Sequence, residues 1–196
     1  MRSGAGSRET SQDASTASLV WLLTQMAEHP DVLARVRAEQ AAARPDLGAT
    51  IAGDTLAAMP YTRQVVKEVL RFRPPAPMVP QVAMRPFALT PAYTAPKGAF
   101  IIPDIVSACR QGYTDGHNPE RREDVTHAPN FLVFGHGPHY CVGKEYAVNH
   151  LIAFLALAAT TLDWRRTRTA ASDKILYLPT ICPADSIFEF APHQGA

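Results

Sequence analysis

The stretch that decides the reading is Phe134-Gly135-His136-Gly137-Pro138-His139-Tyr140-Cys141-Val142-Gly143. It places one cysteine in a glycine-rich loop just ahead of an apolar segment with helical spacing, about 142–161. A cysteine that has to remain a thiolate needs positive potential and N–H donors near its sulfur. The start of a long helix supplies both, through its dipole and the unpaired amides of its first turn. Gly135, Gly137 and Gly143 let the backbone turn sharply and come close to a flat ligand. Phe134 is expected to cover the sulfur side and keep water away.

The same residues allow two other readings. A free cysteine is most often a buried, inert side chain. His136, His139 and Cys141 are also residue types that bind zinc. No clear fourth ligand accompanies them, and zinc leaves the glycines and Phe134 without a role.

Upstream, Glu68-Val69-Leu70-Arg71 lies on a helix that Pro60 opens and Pro74-Pro75 stops, with Tyr61, Val65, Val69 and Leu70 as its apolar stripe. Glu and Arg three apart share a helix face and can pair. An isolated surface pair of that kind contributes little.

Taken together, these stretches resemble the cytochrome P450 family. Phe134-x2-Gly137-x3-Cys141-x-Gly143 fills every fixed position of its haem-binding motif, and Glu68-x2-Arg71 is similar to the pair on its K helix. The resemblance implies a mainly α fold with small β-sheets, the C-terminal part of the cytochrome P450 fold. It implies haem b as cofactor, with Cys141 as axial thiolate ligand and Phe134, Gly135, Gly137, His139 and Gly143 around it. Where this chain has His139, the family usually has an arginine that contacts a haem propionate, a role histidine fills only as a donor. Arg121, in Pro119-Glu120-Arg121, is implied as the partner of Glu68 and Arg71 in a structural cluster. The chain continues there into Arg122, where the family has an aromatic residue.

Ser11-Gln12-Asp13-Ala14-Ser15-Thr16 resembles the family's distal helix, where an acid and an alcohol relay protons toward the haem. Ala14 occupies the position of the usual threonine, which leaves Ser15 or Thr16 as the hydroxyl beside Asp13. Asp13 is equally suited to capping the helix. Further stretches, Arg73-Pro74-Pro75-Ala76-Pro77-Met78-Val79-Pro80 and Thr180-Ile181-Cys182-Pro183-Ala184-Asp185, resemble the sterol 22-desaturases. That likeness implies a sterol-like substrate near Met78, Val79, Ile181 and Cys182, and desaturation of its side chain. It also implies electrons from NADPH-cytochrome P450 reductase, docking on the cysteine side near Lys144, and the cytosolic face of the endoplasmic reticulum for the intact protein. A non-sterol monooxygenase and a truncated haem-binding remnant without turnover are the alternatives. The resemblance covers residues 11–190, so the elements that precede the distal helix in the family, its membrane anchor included, are expected to lie outside this chain.

Composition agrees with a globular domain: 46% hydrophobic and 19% charged residues in 196. A net charge of +1 without a basic tail leaves no footprint for nucleic acid. Three cysteines at wide spacing are not a disulfide framework and point to a reducing compartment. Residues 1–10 lack the apolar core of a signal peptide and are expected to be a disordered leader, ahead of a partial haem domain over 11–196. The longest apolar run, 151–159, is too short to span a bilayer. Periodicity predicts helices over 15–28, 30–43 and 60–73, a hairpin around Pro96-Lys97-Gly98, and an irregular stretch over 107–130. Strand-like runs follow at 174–178 and 187–190, separated by a turn at 179–183.

Overall fold

Pro30 and Pro60 each occupy the first turn of a helix, where a missing N–H costs nothing and φ is already helical. In the computed structural model, which describes residues 5–121, 128–177 and 180–193, they open α2 (Pro30–Ala43) and α4 (Pro60–Phe72). Around them lie α1 (Ala5–Glu28), α3 (Gly53–Ala57), α5 (Ile105–Ala108) and α6 (Lys144–Thr161). No residue of its own caps α4, and Glu39 of α2 does so instead. Its carboxylate accepts from the backbone N–H of Tyr61 at 2.6 Å and of Thr62 at 2.8 Å. An acid at that end also suits the helix dipole, so one side chain both caps α4 and ties it to α2.

The core sits between α1, α2, α4 and α6. Leu22, Met26, Val36, Val65, Val66, Val69, Ile152 and Leu155 are all essentially inaccessible. Burying each such side chain contributes about 1.5–3 kcal/mol, so the helices are held by their apolar faces more than by their local propensities. Two indoles pin α1 to the late part of the chain: Trp21 Nε1 donates to Ile181 O at 2.9 Å, and Trp164 Nε1 to Leu23 O at 3.0 Å.

Among the described residues the strands form four two-stranded antiparallel sheets. β1 (Gln81–Val82) pairs with β4 (Phe100–Ile101), and β2 (Phe87–Thr90) with β3 (Tyr93–Ala95). β5 (Leu162–Arg166) pairs with β8 (Phe188–Pro192), and β6 (Ile175–Leu176) with β7 (Cys182–Pro183). The hairpin expected around residues 96–98 is therefore not formed. The turn is present, with Ala99 N–H bonded to Pro96 O at 3.1 Å and Gly98 at φ +86°. The strands beside it pair with other partners because the N–H of Gly98 bonds to Ala83 O at 2.8 Å and Ala99 O accepts from Ala83 N at 2.9 Å. Pairing register follows such long-range contacts, not the local pattern.

Other boundaries also move. Residues 5–10 of the expected disordered leader are the first turns of α1, since extending a nucleated helix through residues without proline costs little. Residues 1–4 lie outside the described residues. α5 and a short 3-10 turn, Ala128–Asn130, interrupt the stretch expected to be irregular, of which 122–127 lie outside the described residues. β5 had no counterpart in the sequence pattern, and β7 falls within the expected turn, whose Pro179, like Leu178 of the preceding run, lies outside the described residues. No helix among the described residues is long and apolar enough to cross a membrane.

Candidate functional site

The cysteine loop is held by its own main chain. Gly135 N–H bonds to Leu132 O at 2.9 Å, Tyr140 N–H to Gly137 O at 3.0 Å, and Cys141 N–H to Phe134 O at 2.8 Å. The last of these folds the loop back on itself and sets the cysteine beside Phe134. Gly135 and Gly137 take φ of +75° and +62°, a region open to glycine but costly for other residues. A Cβ on Gly135 would also stand 3.2 Å from His139 O. The loop then enters α6 through Gly143, and no side chain caps that helix start.

Three free cysteines occupy different surroundings. Cys109 is buried, which pushes its thiol up and keeps it neutral. Cys182 is half-buried in β7, and Cys141 is exposed. Cys141 is one wall of a cavity of about 610 Å³, within the range of about 300–1,000 Å³ usual for small-molecule and cofactor sites. To the same lining α1 contributes Ala14, Ser15 and Ser18, and the turn after α4 contributes Pro75, Ala76 and Val79. No Lys, Arg, Asp or Glu is among its lining residues.

The haem implied by the resemblance can be tested on these residues, and they fit it. An exposed sulfur faces an apolar space, His139 stands on the same wall as a polar group, and the main chain leaves the sulfur uncommitted. Among the described residues no three His, Cys, Asp or Glu side chains come together as a metal-binding group, so His136, His139 and Cys141 do not form a zinc set. Phe134 borders both this cavity and a second one of about 300 Å³, lined by Arg63, Lys67 and Lys144, and so separates the sulfur from a basic surface. Tyr140 and Glu145 hold the Lys144 ammonium above its ordinary range.

Glu68, Arg71 and Arg121 meet in one buried cluster with side chains 2–4% exposed. Arg71 donates to the carboxylate at 2.8 and 3.0 Å, and Arg121 at 2.9 and 3.0 Å. The N–H of Asn118 adds a fifth bond at 2.8 Å. Further guanidinium N–H groups go mostly to main-chain carbonyls: Arg71 to Cys109 O, both arginines to Gly116 O, and Arg121 to Thr114 O and its hydroxyl. The side chains thereby tie the end of α4 to residues 109–121. Tyr113 lies under both arginines, at 4.9 and 5.5 Å from its ring.

The structure sorts the other candidates. Ser15 faces the cavity, whereas Asp13 and Thr16 are exposed and do not line it. Val79 lines it. Met78 bridges to Asp104 and is 42% exposed. Ile181 is buried behind the cavity wall, its N–H on Pro75 O at 2.9 Å, and Cys182 pairs with Leu176 in the sheet. Sequence reading missed Tyr146 and His150, which line the cavity from α6 and stack at 5.9 Å between centroids. Their spacing of four on the helix that follows the cysteine was the available signal.

Comparison with known proteins agrees with this architecture. The sequence model of the family Cytochrome P450 matches residues 10–175. Cytochrome P450 710A2 of Arabidopsis thaliana is 44% identical over 187 residues, which cover 91% of this chain and 38% of that protein. The C-22 sterol desaturase ERG5 of Saccharomyces cerevisiae is 41% identical over 186 residues, 90% of this chain and 35% of that protein. This chain thus spans little more than a third of those relatives. The solved structure of the cyanobacterial CYP120A1 superposes with a TM-score of 0.82 at 24% identity, covering 92% of this chain and 43% of that one. Cys141 in its loop and Glu68 in its cluster are thus set in a backbone of known architecture, and the chain belongs to the cytochrome P450 family.

Proposed function

We propose that this chain is the haem-binding part of an oxidoreductase that desaturates the side chain of a sterol. The observation that carries the reading is the part of the Cys141 cavity's lining that α1 and the turn after α4 contribute, Ala14, Ser15, Pro75, Ala76 and Val79, which carries no carboxylate, ammonium or guanidinium. A flat hydrocarbon skeleton binds chiefly by burying apolar area, which such a wall favours. A fatty acid would call for a basic partner that these residues do not provide. Similarity to proteins named C-22 sterol desaturase, at 39–41% identity, supports the same substrate class.

The overall reaction would convert a –CH2–CH2– pair to –CH=CH–, with O2 reduced to two waters at the expense of NADPH and one proton. A bound haem supplies oxygen activation, which a thiolate ligand promotes by favouring O–O cleavage. Cys141 would give that thiolate, and His139 would donate a ring N–H to a propionate. Phe134 excludes water from the sulfur side. Ser15 Oγ is the hydroxyl placed to pass a proton into the cavity; Asp13, on the exposed side of α1, would act through solvent or as a helix residue. Val79 would touch the substrate, with Ile181 and Cys182 bracing the turn behind it and Met78 at its edge. Arg63, Lys67 and Lys144, on the far side of Phe134, form a basic surface suited to an acidic electron donor such as NADPH-cytochrome P450 reductase.

The test uses the chain joined to the N-terminal part of a relative, reconstituted with haem. Adding a sterol should shift the haem spectrum, and turnover with reductase and NADPH should yield the side-chain-unsaturated sterol. A shift with fatty acids and none with sterols would overturn the substrate assignment while leaving the haem site standing.

A further inference from the structure

Two guanidiniums approach the ring of Phe72 at the C-terminal end of α4, Arg73 at 4.1 Å and Arg110 at 5.8 Å from its centroid. With Arg71 and Gly116 they line a cavity of about 190 Å³ that shares no lining residue with the cavity at Cys141. Arg71 is committed to Glu68. Arg73 and Arg110 are not committed to any carboxylate. Among the described residues, the Arg73 side chain makes one hydrogen bond, to Phe72 O at 3.2 Å, and lies 5.0 Å from the Trp21 ring, while its Nε is buried without a partner. Arg110 makes neither a side-chain hydrogen bond nor an ion pair among the described residues. Asp115, the one carboxylate on the lining, is itself in no ion pair there.

Such a pair is held together against its own electrostatics. Burial and the neighbouring Arg110 both push the Arg73 guanidinium below its ordinary range. The C-terminal end of α4 offsets part of that cost, since carbonyls there favour cations. Glu28 and Asp104 act on Arg73 and Arg110 only as distant charges. Arg73 also borders a cavity of about 360 Å³, but Glu28, Asp173 and Arg166 line that one, so its charges are already balanced. The cavity between Arg73 and Arg110 is where positive charge is in excess.

We propose that this cavity binds a small oxyanion of the phosphate class, held between Arg73 and Arg110. Guanidinium forks match the oxygens of phosphate two at a time, and the Phe72 ring gives both of them a common neighbour. At about 190 Å³ the space holds several times the volume of one water, roughly 30 Å³, so an inorganic phosphate fits with part of its hydration. The site lies away from Cys141 and requires no bound haem.

The test is titration of inorganic phosphate into the full chain, followed by 31P line width and by calorimetry, with ionic strength held constant by KCl. Saturable binding is expected, weakened about tenfold or more by Arg73→Gln and by Arg110→Gln, as loss of a charge-assisted fork requires. Arg85→Gln, at an exposed arginine outside the cavity, should leave it unchanged. Arg110 is exposed, so its variant keeps the test intact if Arg73→Gln fails to fold. No saturable binding, or equal binding by Arg110→Gln and the parent, would overturn the site.

Discussion

The Glu68 cluster and the Cys141 loop meet opposite demands with opposite means. At Glu68 every strong group is used: a carboxylate with five donors, two guanidiniums, and main-chain carbonyls with the Thr114 hydroxyl for further N–H groups. A buried charge tolerates no missing partner, because the desolvation cost is incurred in full whether or not the pair forms. At Cys141 the sulfur is exposed and the main chain carries the order, through Cys141 N to Phe134 O and two glycines at positive φ. A sulfur that is to ligate metal has to stay uncommitted, so its support comes from atoms other than its own. Side chains hold the frame, and backbone holds the reactive group.

The sharpest break is at the sulfur. Reconstituted with haem, reduced and exposed to carbon monoxide, the parent should show a thiolate-type Soret band. Cys141→Ser should lose it completely, while Cys109→Ser and Cys182→Ser keep it. Next in size is the frame. Glu68→Ala leaves two buried guanidiniums without their carboxylate and should cost about 3–5 kcal/mol in urea unfolding. Replacing Glu68, Arg71 and Arg121 together by apolar residues of similar volume should cost far less. If the single variant is as stable as the parent, the cluster contributes no more than a surface contact.

His117, next to Asn118 of the cluster, is an intermediate case. It stacks on His29 at 4.7 Å and has both ring nitrogens buried without a partner. Burial, helped by His29, depresses its pKa from 6.5 to about 4. The unfolded chain therefore binds the proton more tightly. The contribution to stability is complete above pH 6.5 and is lost as pH falls toward 4, by about 2 kcal/mol after allowance for partial exposure. His117→Phe, which keeps the stack, should flatten stability over that window. An unchanged slope over that window would rule out His117 as its source, and it would not fall to carboxylates such as Asp163 and Asp185 either. Their pKa values are held low by hydrogen bonds, from His193 and from Thr169, and their contribution is lost only at lower pH.

The smallest effect is expected in the loop itself. Gly135→Ala places a Cβ at φ +75° and 3.2 Å from His139 O, which should cost about 1–2 kcal/mol and loosen haem retention. Gly53→Ala, where a Cβ meets nothing within 4 Å, serves as the control. Equal stability of the two variants would mean that the loop is less tightly set than its hydrogen bonds indicate.

The sequence by itself determined the helices and the two motifs. Their signals are local: apolar residues at helical spacing, prolines at 30 and 60, and glycines at fixed distances from Cys141. It also put Glu68 and Arg71 on one helix face, because three residues make nearly a full turn. Only the tertiary structure decided which strands pair across 81–101, since Ala83 takes the bonds that a local hairpin would have used. It decided that Ser15 and not Asp13 faces the cavity, because the rotation of α1 is fixed by Trp21 bonding to Ile181 and by Leu22 and Met26 in the core. And it filled the coordination of Glu68 from residues 118 and 121, contacts made across some fifty positions that no local period encodes.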